Sequence, residues 1–158
     1  MIAISSFNSF KNVTISGHKN IVLKVVVLCQ KLGARTIPLN INIPSHCNLM
    51  KPIINEFKSI LDVIVFNHPK IPFINNVDAK CEYHPKTIKK ALVRQLYCPV
   101  NWYDSIKYII NKNFVYVIEF STQQTLSHIS KNITNKINYS RIYKPQGLNI
   151  TLQKYFNK

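Results

Sequence analysis

The stretch NVTISGHKNIVLKVVVLCQKLGARTIPLNI, residues Asn12 to Ile41, decides the fold. Asn12 to Ser16 alternates in the manner of a strand, and Gly17 breaks the run. From His18 to Leu32 the apolar residues Ile21, Val22, Val25, Val26 and Cys29 recur at helical spacing, and Gly33 stands where a helix C-terminus needs left-handed backbone. Arg35 to Ile41 then reads as a second strand. A lone strand, helix and strand leave a sheet edge and an apolar face unpartnered, so the rest of the chain has to supply neighbours.

Downstream, Pro44 to His46 reads as a loop. Leu49, Ile53, Ile54, Phe57 and Ile60 predict a helix over 48–60. The short apolar runs Val63–Phe66 and Ile71–Ile74 read as extended segments around a bend, and Asn75, Asn76 and Asp78 crowd the end of the second. Helices are predicted over 85–97, entered through Pro85, over 102–111 and over 124–137, with a strand over 114–120 between the last two. The tail from Tyr139 is Asn- and Lys-rich with weak pattern, ending in a short helix from Asn149.

At 158 residues with 46% hydrophobic and 17% charged residues, the chain has the size and composition of an ordinary folded domain, which excludes disorder. No apolar run approaches the roughly 18 residues of a membrane span, since Ile21–Cys29 is broken by Lys24. Met1–Phe10 lacks the basic region and apolar core of an export signal, so a cytoplasmic setting is expected. Cys29, Cys47, Cys81 and Cys98 are too scattered for a zinc site or a disulfide framework and read as small buried hydrophobes.

The net charge of +15 points on its face to nucleic acid. Its texture argues otherwise: 18 of the 21 basic residues are Lys, dispersed from Lys11 to Lys158, with the cluster Lys86, Lys89 and Lys90 on a predicted helix. With 23 Ile and 18 Asn against 3 Gly, the excess has the pattern an A+T-rich coding sequence produces. No helix-turn-helix, zinc-finger or RNP pattern is present, so specific nucleic-acid recognition is not expected. A basic nucleic-acid-binding module explains the charge and nothing else.

The six acidic residues form no pair at catalytic or metal-ligand spacing. Glycines at 17, 33 and 147 alone exclude a P-loop, a dinucleotide fingerprint and a G-x-S-x-G elbow within the chain. Five histidines remain, at 18, 46, 68, 84 and 128. His46 has the favoured position, in a loop between a strand and a helix, where an imidazole can be held at a site mouth or can simply cap the helix.

Pro44-Ser45-His46-Cys47-Asn48-Leu49-Met50-Lys51-Pro52 closely resembles the histidine motif of bacterial malonyl-CoA:acyl carrier protein transacylases. Ile15-Ser16-Gly17-His18, Phe66-Asn67-His68-Pro69, Asn75-Asn76-Val77-Asp78 and Ala91-Leu92-Val93-Arg94-Gln95-Leu96-Tyr97, followed by Pro99, Val100 and Trp102, look like other blocks of that family in the same order. The likeness covers nearly the whole chain and matches the second half of a family member. It implies an α/β fold in which 1–42 are the trailing half of a ferredoxin-like subdomain and 43–158 the C-terminal part of an α/β-hydrolase-like acyltransferase subdomain.

By the same resemblance the chemistry is malonyl transfer from CoA to acyl carrier protein in fatty acid biosynthesis. His46 is the proton relay, oriented by the backbone carbonyl of Gln95, with Asn75 and Asn76 as support. No metal or resident cofactor is implied: malonyl-CoA and the phosphopantetheinylated carrier are substrates. The family's nucleophilic serine, its glutamine-containing oxyanion loop and its malonate-binding arginine lie in the half that this chain does not match. The partners implied are acyl carrier protein and a separately encoded N-terminal half; the alternative is a non-catalytic remnant. Ser121-Thr122-Gln123 stands where the family carries a G-P-G turn, so both of its glycines are lost here.

Overall fold

A computed structural model describes residues 1–155, which fall into two compact units, Met1–Ser105 and the residues from Ile106 onward. The first unit begins with an antiparallel hairpin, β1 (Ile2–Ser9) and β2 (Asn12–Gly17), in register from Ile2 opposite Gly17 to Ser9 opposite Asn12. Two register shifts, between Ile4 and Ser6 and between Phe7 and Ser9, interrupt the two-residue alternation of β1, which is why the sequence pattern does not reveal this strand. Gly17 is required at the open end of the hairpin, because a Cβ there would collide with the Met1 carbonyl.

Helix α1 (Lys19–Lys31) follows within a residue of its expected limits. Gly33 ends it with φ of 83°, and the N–H groups of Gly33 and Ala34 donate to the carbonyls of Gln30 and Cys29 at 3.0 and 2.9 Å. These paired bonds satisfy carbonyls that a helix end otherwise leaves open.

The expected strand Arg35–Ile41 does not form. The segment is irregular, Pro38 interrupts it, and Ile37, Leu39 and Ile41 are 66, 56 and 63% exposed. A strand is a paired structure, and among the described residues nothing pairs with this one.

The helix expected over 48–60 divides in two: Asn48–Ile53 is a 3₁₀ segment and α2 spans Ile54–Val63. Pro52 lacks the N–H that α-helical continuation needs and disfavours α backbone at Lys51, so the entry takes the tighter winding. Of the two expected extended runs, Val63 instead closes α2. The second yields only the short strand β3 (Phe73–Asn75), paired antiparallel with β4 (Lys80–Glu82). Helix α3 (Pro85–Gln95) has Pro at its first position and His84 as N-cap, whose Nδ1 accepts from the Lys86 N–H at 3.2 Å. Val100 lies along β1, exchanging backbone bonds with Ser5 and Phe7 at 2.9 Å each.

Helix α4 (Trp102–Asn111) matches its expected limits. In the second unit β5 (Tyr116–Phe120) runs parallel to β6 (Asn138–Ile142), with α5 (Thr125–Lys131) as the crossover, and α6 (Pro145–Tyr155) packs beside β6. Strand β6 lies in the tail whose sequence shows no pattern. Helix α5 stops six residues short of the expected 137, where local side-chain bonds compete with the helical ladder: the Thr134 hydroxyl accepts from the Lys136 N–H at 3.0 Å. Helix α6 begins four residues before the expected 149. The Ser121-Thr122-Gln123 turn closes without glycine, since the Ser121 hydroxyl accepts from the Gln123 N–H at 3.2 Å and Arg141 donates to the Thr122 carbonyl at 3.2 Å.

Buried side chains are few and mostly small. Cys47, Leu61, Val77, Ala79 and Ala91 are the buried apolar residues of the first unit, and Ile106 and Ile137 those of the second. Of the four cysteines expected to be buried only Cys47 is, while Cys29, Cys81 and Cys98 are half-buried; all four are free thiols. Among the described residues no helix is long and apolar enough to cross a membrane. The fold class is α/β.

Candidate active site

The loop before the 3₁₀ segment is pinned from two sides. The Ser16 hydroxyl of β2 donates to the Ser45 carbonyl at 2.9 Å, and the backbone N–H of His46 donates to the Leu96 carbonyl at 3.1 Å. Held this way, His46 adopts φ of 59°, left-handed backbone that a side chain with a Cβ occupies at a cost of about 1–3 kcal/mol. Such strain persists only where the surroundings over-determine it, and here the surroundings are the end of α3.

The last carbonyls of a helix have no partner within it. In α3 the Arg94 carbonyl is taken by the N–H groups of Tyr97 and Cys98, at 3.1 and 2.7 Å, whereas those of Gln95 and Leu96 turn to His46. Nδ1 of the ring lies 2.7 Å from the Gln95 carbonyl oxygen. A carbonyl only accepts, so Nδ1 must carry the proton, and in the neutral ring Nε2 is left with its lone pair as an acceptor. The residue is half-buried.

Asn76 joins the same chain of bonds: its Oδ1 accepts from Nε2 of the Gln95 side chain at 3.0 Å, and its backbone carbonyl accepts from the Asn101 N–H at 2.7 Å. Asn75 does not reach the histidine network directly. It is buried at 3% exposure and spends both ends of its amide on the β3–β4 hairpin, Oδ1 accepting from the N–H groups of Val77 and Asp78 at 3.1 and 2.8 Å and Nδ2 donating to Glu82 at 2.9 Å. This Asx-type turn presents Asn76 toward α3.

Three groups near the site escaped the sequence reading. Arg94 and Asp78 form a two-point ion pair, Nη1 donating to Oδ1 at 2.7 Å and Nη2 to Oδ2. The Arg94 guanidinium holds the Asp78 carboxyl below the usual carboxylate range, against the opposing effect of burial, and Asp78 in turn pushes the guanidinium up. Asn101 donates its side-chain N–H to the Val77 carbonyl. Burial pushes the Cys98 thiol up, so it is held in its neutral, unreactive form. Asp78 and Arg94 stand in motif blocks, but their pairing across 16 residues has no sequence signature. Among the described residues no group of three His, Cys, Asp or Glu side chains is arranged to hold a metal.

A carbonyl-oriented imidazole at the end of a helix, in an α/β fold, is an arrangement suited to acyl transfer, and the solved structures that this fold resembles are acyltransferases. No protein-family model matches the chain. The chain is 38% identical over 149 residues to malonyl CoA-acyl carrier protein transacylase of Escherichia coli K12, covering 94% of this chain and 48% of that protein. It is 43% identical over 136 residues to the transacylase of the same name from Buchnera aphidicola subsp. Schizaphis graminum, 85% of this chain and 44% of that one. A chain of a solved structure described as a type II PKS acyl-carrier protein in complex with its malonyl-transacylase superposes with a TM-score of 0.93 at 34% identity, over 98% of this chain and 50% of that one. The resemblance read from the sequence therefore holds: the chain is similar in sequence and fold to malonyl CoA-acyl carrier protein transacylases, with a coverage that fits their C-terminal half.

Proposed function

We propose that this chain supplies the histidine half of a malonyl-CoA:acyl carrier protein transacylase active in fatty acid biosynthesis in the cytoplasm. The observation that carries the reading is the 2.7 Å approach of His46 Nδ1 to the Gln95 carbonyl, which leaves Nε2 free to take a proton. Residues 1–42 and 43–158 are read as the trailing part of the ferredoxin-like subdomain and the C-terminal part of the hydrolase-like subdomain.

In the first half-reaction a serine hydroxyl from the complementary half of the enzyme attacks the malonyl thioester. His46 Nε2 takes the hydroxyl proton and returns it to the departing CoA sulfur. In the second, the thiol of the carrier protein's phosphopantetheine arm passes its proton to His46 and attacks the malonyl-serine ester, and the serine oxygen recovers a proton from the ring. A carbonyl serves here in place of a carboxylate because it fixes the tautomer without adding a charge, and the end of α3 presents the negative end of its dipole to the ring. Asn76 steadies Gln95, and Asn75 builds the turn that carries Asn76. The malonyl thioester and the carrier thiol are both substrates, so no resident cofactor is required.

An acidic carrier protein suits a strongly basic partner, and Lys58, Lys86, Lys89 and Lys90 line one groove of about 460 Å³ between α2 and α3, with Asp62 the acidic residue of its lining.

The test is malonyl transfer to carrier protein by the 158-residue chain alone and after co-expression with a serine-bearing N-terminal half. The chain alone is expected to be inactive. The complemented enzyme is expected to transfer malonyl and to lose at least 100-fold in kcat on His46→Ala. Transfer that survives that substitution would refute the assignment. The second reading, a non-catalytic remnant, is favoured by Ser121-Thr122-Gln123, which stands where the family carries its G-P-G turn. It predicts that no complementing half restores transfer.

A further inference from the structure

Two consecutive residues of α3, Arg94 and Gln95, each reach by side chain to the same short turn at 75–79. Arg94 grips Asp78 with two donors, and Gln95 donates to Asn76. The turn itself is stiff. Asn75 accepts from the N–H groups of Val77 and Asp78, Ala79 sits in left-handed backbone at φ 52°, and Asn101 donates its backbone N–H to the Asn76 carbonyl and its side-chain amide to the Val77 carbonyl. The next atoms along α3 are the Gln95 and Leu96 carbonyls that hold the ring and the backbone of His46.

From this we propose that the Asp78–Arg94 ion pair is a positioning clamp that sets the tautomer and orientation of His46 by fixing the end of α3. The inference rests on the proton-relay reading of His46.

The physical case turns on what the pair is too weak to do. Arg94 and Asp78 side chains are 37% and 28% exposed, and ion pairs this open to water contribute little to stability. A two-point guanidinium–carboxylate contact nevertheless fixes direction, because both donors must face both oxygens. The end of α3 needs that direction. Its last turn tightens into 3₁₀-type bonding, the Leu96 N–H donating to the Val93 carbonyl at 3.3 Å, and the Gln95 and Leu96 carbonyls beyond it have no partner within the helix. A displacement of the Gln95 carbonyl by a fraction of an ångström breaks the 2.7 Å bond. Free imidazole prefers its proton on Nε2, so a ring released from the carbonyl drifts to the wrong tautomer for accepting a proton there. Arg94 and Asp78 are positioning residues and touch no reacting atom.

The experiment is ¹⁵N NMR of the neutral His46 imidazole in the full 158-residue chain. Wild type should show a protonated Nδ1 and an unprotonated Nε2. Arg94→Met is expected to lower the Nδ1–H population at least twofold while the melting temperature moves by no more than about 2–4 °C. Arg94→Lys, which keeps the charge and loses the fork, should fall between, and Asp78→Asn should resemble Arg94→Met. An Arg35→Met control, at an exposed residue outside the network, should leave the ring unchanged.

In the complemented enzyme the clamp variants should lower kcat with KM held. If Arg94→Met does not fold, Arg94→Lys and Asp78→Asn decide the matter. A His46 tautomer unchanged in those two overturns the clamp. Because the tautomer is read without turnover, that result is distinct from failure of the catalytic assignment, which shows as malonyl transfer persisting in His46→Ala.

Discussion

Replacing His46 by Gly and by Ala separates the backbone at the site from its ring. The residue occupies φ of 59°, which glycine adopts freely and alanine only with strain. Wild type carries a left-handed backbone at about 1–3 kcal/mol and gains a ring bond to the Gln95 carbonyl worth about 1 kcal/mol net. His46→Gly loses both, and the freer unfolded chain of glycine costs about 0.5–1 kcal/mol more, so it should lie within about 1 kcal/mol of wild type. His46→Ala loses the bond and keeps the strain; less the roughly 0.4–1 kcal/mol returned by the lower unfolded-state entropy of alanine, it should be about 1–2 kcal/mol less stable than the glycine variant. Urea unfolding of the three chains followed by circular dichroism resolves a difference of that size. An alanine variant as stable as the glycine one would show that position 46 does not hold left-handed backbone in solution, and the geometry that presents Nε2 would go with it.

Three further outcomes follow from particular contacts. Glu119, 7% exposed, caps α5 by accepting from the N–H groups of Leu126 and Ser127 at 3.0 and 2.9 Å and from the Ser127 hydroxyl. Burial pushes its carboxyl up, but those donors outweigh burial and hold it below the usual glutamate value. Its folded-state value is therefore the lower one, so its stabilisation is complete above about pH 4.3 and is lost as pH falls further through the folded value. Glu119→Gln should cost about 1–3 kcal/mol at pH 7 in a denaturant titration and remove that part of the acid dependence. Asn75→Ala removes three hydrogen bonds from a buried turn and should cost about 2–4 kcal/mol by the same measurement, with the Gln95–Asn76 link loosened as a consequence. Gly33→Ala should cost about 1 kcal/mol from backbone strain alone, since nothing lies within 4 Å of the added Cβ; thermal unfolding that shows no loss would contradict the left-handed cap of α1.

Much of the helical framework was legible in the sequence because a helix is made of bonds between near neighbours. The spacing of Ile21 through Cys29 with Gly33, and of Trp102 through Asn111, set α1 and α4 to within a residue. Where local chemistry competed, periodicity overran: Pro52 wound the start of its helix into a 3₁₀ segment, and Thr134 lies beyond the early end of α5. Strands were read less well because their partners lie elsewhere. The bulges in β1 scramble its alternation, β6 gains its identity only by lying parallel to β5, and Arg35–Ile41 has strand-like residues but no partner among those described.

The candidate site divides along the same line. Sequence alone determined the position of His46 in a loop before a helix and, through resemblance, the α/β class and the pairing of His46 with the Gln95 carbonyl. Only the tertiary structure decided that Asn76 holds Gln95, that Asn75 serves the turn, and that Asp78 closes on Arg94. A residue's type fixes which bonds it can make, but a donor and an acceptor separated by 16 or 19 residues meet only when the chain between them has been folded into place.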